Sequence, residues 1–87
     1  MKNINHYKEI VLEELRKHEL LDESDLDLAM SYILVSIFAD LEKNFPKLVK
    51  DLSEKEIKSE DFDLEKSIPF FDMSFNFYLS EFLDDES

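Results

Sequence analysis

The chain has 87 residues with no Gly and no Cys, which excludes disulfide bonds, thiolate metal sites and the glycine-rich loops that cradle phosphates. Its 22 acidic and 10 basic residues give a net charge of −12, which opposes binding to nucleic-acid phosphates and to anionic membranes. This length predicts one small domain over residues 1–87, with a thin margin of stability.

The first predicted helix covers residues 5–20, with Asn5 as its N-cap. Its apolar residues recur at spacings of three and four, so they share one face of the helix. His18 lies at the edge of that face, where we expect a packed side chain with one hydrogen bond rather than a catalytic group. The residues of this face are Ile4, Tyr7, Val11, Leu15 and His18.

An acidic turn follows, because residues 19–27 contain five acids and no base. Part of this charge has a structural explanation: Ser24 and Asp27 resemble a capping box, and acids in a first turn complement the helix dipole. The same charge also fits a basic partner. The candidate partner-binding residues in this turn are Glu19, Asp22, Glu23 and Asp25.

The second predicted helix, residues 25–44, is apolar on nearly all sides, which predicts a buried central helix. Asp40 lies at the edge of its main apolar stripe, and we expect it to pair locally with Lys43 or Ser36. The main stripe contains Leu26, Met30, Ile33, Ile37 and Leu41, and the other side contains Leu28, Tyr32, Val35 and Ala39.

The middle of the chain predicts short helices and a loop. Pro46 ends the second helix or begins the next as its first residue. Ser53 and Glu56 form an S-x-x-E capping box, which indicates a further short helix. Residues 58–67 are polar and aperiodic, so we interpret them as a loop held to the core by Phe62 and Leu64.

The closing segment, residues 70–83, is predicted to be a helix, with a short strand over 73–79 as the alternative. A lone strand needs a neighbour, and no other segment provides a clear one. One helical face is expected to pack on the central helix. It contains Phe71, Phe75, Tyr78, Leu79 and Phe82.

A second apolar stripe lies on nearly the opposite side and consists of Phe70, Met73 and Phe77. Either the preceding loop covers it through Phe62 or Leu64, or it is exposed to a partner, since interfaces favour aromatic and Met anchors within a charged rim. The candidate rim residues are Glu81, Asp84 and Asp85.

The C-terminal end is expected to be uniformly negative, because no Lys or Arg follows Lys66. Residues 84–87 form an acidic terminus that we predict to be frayed.

The sequence contains no recognisable catalytic or metal-binding motif. The two histidines, His6 and His18, are twelve residues apart and lack a nucleophile in a suggestive context. A calcium loop beginning at Asp61 fails at its sixth position, where Lys66 replaces the glycine that the sharp turn requires. We therefore predict no cofactor, no metal, no catalytic residue and no enzymatic activity.

These elements together predict an all-α fold: a compact bundle of four or five helices around the central helix 25–44. The first ten residues contain no apolar run after the basic residue, so a signal peptide is not expected. The longest apolar run is four residues, far below the ~20 that span a bilayer. A cytoplasmic location is expected.

Three functional hypotheses remain open. In size, acidity, predicted helicity and lack of catalytic motifs the chain resembles small bacterial immunity proteins, without a shared motif. This resemblance implies an immunity protein or antitoxin that blocks a basic toxin, most plausibly a nuclease. The alternatives are a phage-type nucleic-acid mimic that inhibits a defence nuclease, and a homodimeric structural or assembly subunit joined through Phe70, Met73 and Phe77.

Overall fold

The computed structural model of the chain describes residues 1–19 and 22–86, without the side chains of 23, 85 and 86. Within these residues the chain forms six helices and no strand, which confirms the predicted all-α class. The prediction of four or five helices was low by at least one, since a single helical turn forms inside the predicted loop. The helices are α1 (Ile4–Lys17), α2 (Glu23–Asn44), α3 (Pro46–Asp51), α4 (Glu54–Lys58), α5 (Leu64–Ser67) and α6 (Phe71–Glu86).

The three long helices pack around one hydrophobic core, with α2 in contact with both α1 and α6. Tyr7 joins α1 to α6, because its ring centroid lies 4.7 Å from that of Phe71 and 4.8 Å from that of Phe75. The short helices close the core with Ile57 and Leu64. None of the helices in the described ranges is both long and apolar enough to cross a membrane.

Helix α1 differs from its prediction at both ends. Asn3 is the N-cap, since its side chain accepts a hydrogen bond from the backbone N–H of His6 at 3.1 Å, and Asn5 lies inside the helix. Ile4 is already helical and buried, so the cap falls one residue before it. The prediction for His18 is wrong: the helix ends at Lys17 and His18 is exposed. The predicted end at Leu20 lies outside the described residues.

Helix α2 begins at Glu23, and its N-cap is Asp22 rather than Ser24. The Asp22 side chain accepts a hydrogen bond from the backbone N–H of Ser24 at 3.3 Å. Helix α2 is central and its main stripe is buried, as predicted, but its other side is partly open to solvent, because Leu28 is 58% exposed and Val35 is 69% exposed. The neighbouring helices cover only the main stripe and its edges.

Between α2 and α6 the structure agrees with the helix starts predicted at Pro46 and Ser53, but not with the predicted loop. Pro46 is the first residue of α3, and Ser53 accepts a hydrogen bond from the N–H of Glu56 at 3.3 Å. Residues 58–67 are only partly a loop, since Asp63 caps the one-turn helix α5. Leu64 is fully buried and Phe62 packs against the core, as predicted.

Helix α6 confirms the helical prediction for the closing segment, and the strand alternative over 73–79 is wrong. Phe71, Phe75, Leu79 and Phe82 are buried, while Tyr78 is half-buried against the core. The helix extends to Glu86, and Ser87 lies outside the described residues. The predicted fraying of residues 84–87 stays a prediction.

Candidate partner-binding surface

The outer stripe of α6, defined as Phe70, Met73 and Phe77, faces solvent. The side chains are 68%, 67% and 57% exposed, respectively. The alternative that the preceding loop covers them is wrong, because Leu64 and Phe62 pack into the core instead. Met73 and Phe77 lie on α6, whereas Phe70 directly precedes the helix, so the predicted helical stripe is only partly helical. Exposed large apolar groups of this kind often mark an interaction site.

Helices α2 and α6 run antiparallel, which places the two acidic segments at the same end of the molecule. The hydroxyl of Tyr32 on α2 donates to Glu81 Oε2 on α6 at 3.1 Å. Asp25 lies two turns before Tyr32, and Asp84 lies one turn after Glu81, so both lead toward that end. We call the two groups together the acidic end: Glu19, Asp22, Glu23, Asp25, Glu81, Asp84 and Asp85.

The described acids of this end are accessible to a partner. Glu19, Asp22, Glu81 and Asp84 are exposed, and Asp25 is half-buried. Glu19 has a backbone φ of 60°, in the left-handed region that the chain uses to turn from α1 toward α2.

Two members of the acidic end have side chains outside the described part of the chain, namely Glu23 and Asp85, although both belong to helices. Asp22 has a structural role as the N-cap of α2, as described above. Its carboxylate therefore serves the helix whether or not it also contacts a partner.

The acidic end is not uniformly negative, which corrects the expectation from the C-terminal sequence alone. The last turn of α1 contributes Arg16 and Lys17, because α1 ends where α2 begins. Lys17 pairs with Glu14 on its own helix, with 3.3 Å between Nζ and Oε1. The acids still outnumber these bases.

Negative charge is concentrated on two segments that pack together. Residues 18–42 contain seven acids and no Lys or Arg, and residues 59–87 contain nine acids and one Lys. The first segment supplies most of α2 and the second supplies α6. The outer stripe therefore lies on the second of these segments, and we call residues 18–42 and 59–87 together the acidic half of the molecule.

Tyrosines link α2 to α6 beside the outer stripe. The Tyr78 hydroxyl donates to Asp40 Oδ2, so the predicted local pairing of Asp40 with Lys43 or Ser36 is wrong. This hydrogen bond, together with burial and nearby negative charge, raises the pKa of Tyr78 to about 12. Tyr78 is consequently a protonated donor at neutral pH. Its ring is also 5.1 Å from that of Phe77, centroid to centroid.

A groove opens between the C-terminal end of α2 and the start of α6. Its volume is about 310 Å³, and we call it the Phe45–Phe70 groove after the two aromatic residues that line it. Sequence reasoning missed this groove because its walls are 25 residues apart in the chain and meet only through the antiparallel packing. Its lining consists of Ile37, Asp40, Leu41, Asn44, Phe45, Pro69, Phe70 and Ser74.

A larger groove, of about 560 Å³, lies between α1, α2 and α4. Met30, Leu34 and Ile57 give it an apolar floor. Its rim has both signs of charge, and Lys58 already pairs with Glu54 at 2.6 Å. This balance selects no class of charged partner, so the acidic half of the molecule is the stronger candidate surface.

Among the described residues, possible metal ligands do not come together. No group of three or more His, Cys, Asp or Glu among them is arranged to hold a metal ion. His6 and His18 are exposed at opposite ends of α1. The groups that this surface exposes are apolar side chains and carboxylates.

Comparison with protein-family models, curated proteins and solved structures finds no match to this chain. The function is therefore inferred from the physical properties of this surface.

Proposed function

We propose that this protein is a non-enzymatic, acidic inhibitor that binds a basic protein, and that its partner is a nuclease-type toxin for which it acts as an immunity protein or antitoxin. The observation that carries the proposal is the outer stripe of α6, which is exposed and lies on the acidic half of the molecule.

The charge supports a basic partner through long-range steering. A protein that binds nucleic acid presents a positive cleft to the phosphates, and an acidic ligand is attracted to the same cleft. Electrostatic complementarity of this kind raises the association rate and excludes partners of like charge. An acidic protein bound over the cleft excludes the substrate.

The outer stripe supports stable binding after the encounter. Phe70, Met73 and Phe77 can lose exposed apolar area to a partner, which is the dominant favourable term in protein association. Aromatic side chains near the centre of an interface often dominate its binding energy. The acidic end borders this surface on the side of Phe77, because Glu81 lies one turn after Phe77 on α6.

The proposal places the protein in the cytoplasm, because a cell that makes a nuclease toxin needs protection there. It assigns no direct role to nucleic acid or membrane, from which a net charge of −12 is repelled.

The proposal is tested with the product of the gene adjacent to this one. We expect co-expression to restore the growth of cells that produce this neighbouring protein, and the purified inhibitor to abolish its nuclease activity at a one-to-one ratio. If the neighbour has no toxicity, and a panel of purified cationic RNases and DNases neither binds the protein nor is inhibited, the proposal is wrong.

Two pairs of variants locate the surface. Phe77→Asp is expected to weaken binding by tenfold or more, as roughly expected for an interface anchor. Val35→Asp introduces the same charge at another exposed apolar residue, in the groove between α1, α2 and α4, and is expected to leave binding unchanged. Equal effects of the two variants would contradict the assignment of the surface.

The second pair tests the acidic end. Asp84→Lys combined with Asp85→Lys is expected to slow association. Glu60→Lys combined with Asp61→Lys makes the same charge change near the N-terminus of α1, where the Asn3 side chain donates to the Glu60 carbonyl at 2.8 Å. This control should slow association less.

The phage-type mimic of nucleic acid would use the same negative charge. The identity of the partner distinguishes it from an immunity protein, since inhibition of a defence nuclease, with no toxin gene adjacent, would indicate the mimic.

The homodimeric subunit is supported by the exposed outer stripe alone. Sedimentation of the isolated protein tests it, and a monomer at micromolar concentration would exclude it.

A further inference from the structure

The Phe45–Phe70 groove combines two aromatic rings with a single charged group. Phe45 and Phe70 are 40% and 68% exposed, so both rings are accessible from solvent. Asp40 is the only charged residue among those that line the groove, and no Lys, Arg or His lines it. Faces of aromatic rings beside a carboxylate are the surroundings that a cationic group prefers.

A hydrogen bond orients the Asp40 carboxylate, which can still accept others. Tyr78 donates to its Oδ2, whereas no residue in the described ranges donates to its Oδ1. The Asn44 amide donates to the backbone carbonyl of Asp40 at 3.0 Å, and does not occupy the carboxylate. Because an ionised carboxylate accepts several hydrogen bonds, Oδ1 remains available to a donor from outside the chain.

Phe70 is held in an unfavourable backbone conformation. Its φ is 59°, in the left-handed region that residues with a Cβ atom rarely occupy. Burial does not compensate for this, since the ring is mostly exposed. Strain of this type occurs often where a side chain serves a ligand.

We infer that the Phe45–Phe70 groove binds an arginine side chain of the basic partner, with the guanidinium between the aromatic walls and the Asp40 carboxylate. The guanidinium is planar, stacks on aromatic faces and donates several hydrogen bonds in a fixed fork. The inference rests on the proposed function and adds the chemistry of one contact to it.

Other occupants fit the groove less well. An apolar side chain would bury Asp40 without a partner for its charge, which is costly. A lysine ammonium is a strongly hydrated point charge and loses more hydration on entering an aromatic groove. The groove volume, about 310 Å³, lies at the low end of the range of roughly 300–1,000 Å³ for small-ligand sites and suits one side chain.

The inference is tested by NMR titration of the full chain with a capped tri-arginine peptide. We expect the signals of Asp40, Asn44, Phe45 and Phe70 to shift. A tri-citrulline peptide of the same shape but without charge should leave them in place, and a tri-lysine peptide should bind about fivefold more weakly than tri-arginine.

Asp40→Asn removes the charge but keeps an acceptor for Tyr78, and it is expected to weaken tri-arginine binding about fivefold or more. Phe70→Ala is expected to weaken it about threefold. Asp61→Asn is the matched control, since it removes one exposed acid outside the groove and should change the affinity little.

Three results would overturn the inference: shifts confined to the acidic end, equal affinity for tri-lysine, or unchanged affinity in Asp40→Asn. Each is distinguishable from failure of the proposed function. If a nuclease binds Asp40→Asn and the wild type equally well, the arginine contact is wrong but the inhibitor function stands. If the groove binds tri-arginine but the protein inhibits no nuclease, the inhibitor function is wrong but the arginine site stands.

Discussion

At Phe70 the backbone and the side chain have opposite preferences. The left-handed conformation, with φ at 59°, suits Gly and disfavours a residue with a Cβ atom. The chain contains no Gly at all, so this turn before α6 is made by a phenylalanine. A ring that packed into the core would explain the choice, but the ring is exposed.

This conflict predicts an inverted order of stability for two small substitutions. Phe70→Gly should be more stable than Phe70→Ala by about 1 kcal/mol, since only Gly adopts the left-handed conformation without a steric penalty. At Phe77, inside α6, the order should be the usual one, with Ala more stable than Gly by about 1 kcal/mol. Urea denaturation of the four variants measures both differences, and Ala above Gly at position 70 would contradict the strain.

Asp72 joins the N-terminal segment to α6 through three side chains. Lys2 Nζ lies 2.7 Å from Asp72 Oδ2 and 3.5 Å from Glu65 Oε2, and the buried Tyr7 donates its hydroxyl to Asp72 Oδ1. Burial favours the neutral acid, but the hydrogen bonds from Lys2 and Tyr7 outweigh it and hold the pKa of Asp72 below its usual value. The folded state therefore favours the charged carboxylate.

Because the pKa of Asp72 is lower in the folded state, its contribution to stability depends on pH. It is fully present above the unfolded pKa of about 4 and is lost as the pH falls through the lower folded value. The difference in unfolding free energy between the wild type and Asp72→Asn should thus stay constant from about pH 7 to about pH 5 and shrink below about pH 4.

Urea denaturation across this pH range measures the effect of Asp72. Asp61→Asn is the control, because Asp61 is exposed and its carboxylate forms no ion pair among the described residues. Its difference from the wild type should be small at every pH. A constant difference for Asp72→Asn down to about pH 2 would contradict the assigned role.

At the scale of elements, α6 has one buried face that stabilises the fold and one exposed face that we propose binds the partner. Phe75 is 1% exposed and contacts the Tyr7 ring, whereas Phe77, two residues later, is 57% exposed. Phe75→Ala should cost about 3–5 kcal/mol, enough to unfold a small domain, because it removes a fully buried ring. Phe77→Ala should change stability by about 0.5 kcal/mol or less.

Circular dichroism and thermal denaturation measure the loss of stability in Phe75→Ala and in Phe77→Ala, and so compare the two faces of α6. Phe77→Ala must remain folded for any loss of partner binding to be assigned to the surface. A large loss of stability in Phe77→Ala would show that the outer stripe has a structural role and would contradict its assignment to a partner.

The periodicity of α6 predicted both of its faces, whereas that of α2 predicted its buried main stripe but not the exposure of its other side. Apolar side chains at helical spacing show which residues share a face, but they do not show whether another helix covers that face. In α6 the core face was also the more aromatic one. In α2 both sides are apolar, and Val35 remains exposed because the packing of α1, α4 and α6 leaves it uncovered.

Three other features could not be predicted from local patterns. Helix α5 is a single turn, too short for its apolar residues to repeat, so Asp63 as a cap was the only available signal. The hydrogen bond from Tyr78 to Asp40 joins residues 38 positions apart, and so depends on the antiparallel pairing of α2 with α6. The Phe45–Phe70 groove depends on the same pairing.

At the scale of the whole molecule, the excess of acids destabilises the folded state through charge repulsion, but the same acids would favour binding to a basic partner. A net charge of −12 on 87 residues repels itself in the compact state. Association with the basic partner that we propose would relieve that repulsion. Salt screens both interactions, and therefore acts in opposite directions on stability and on binding.

Raising NaCl from about 0.01 M to about 0.1 M shortens the Debye length from about 30 Å to about 10 Å. Over this range the unfolding free energy should increase, while the association rate with a cationic nuclease should fall by about tenfold or more.

Two double variants separate the effect of salt on stability from its effect on association. One combines Asp84→Lys with Asp85→Lys, and the other combines Glu60→Lys with Asp61→Lys. Each replacement adds two charges, so both double variants move the net charge from −12 to −8. Self-repulsion depends mainly on net charge, so both should reduce the salt dependence of stability by similar amounts. Steering depends on charge near the docking surface, so the change at the acidic end should reduce the salt dependence of association more. If the two variants reduced the salt dependence of association equally, the partner would bind elsewhere on the molecule.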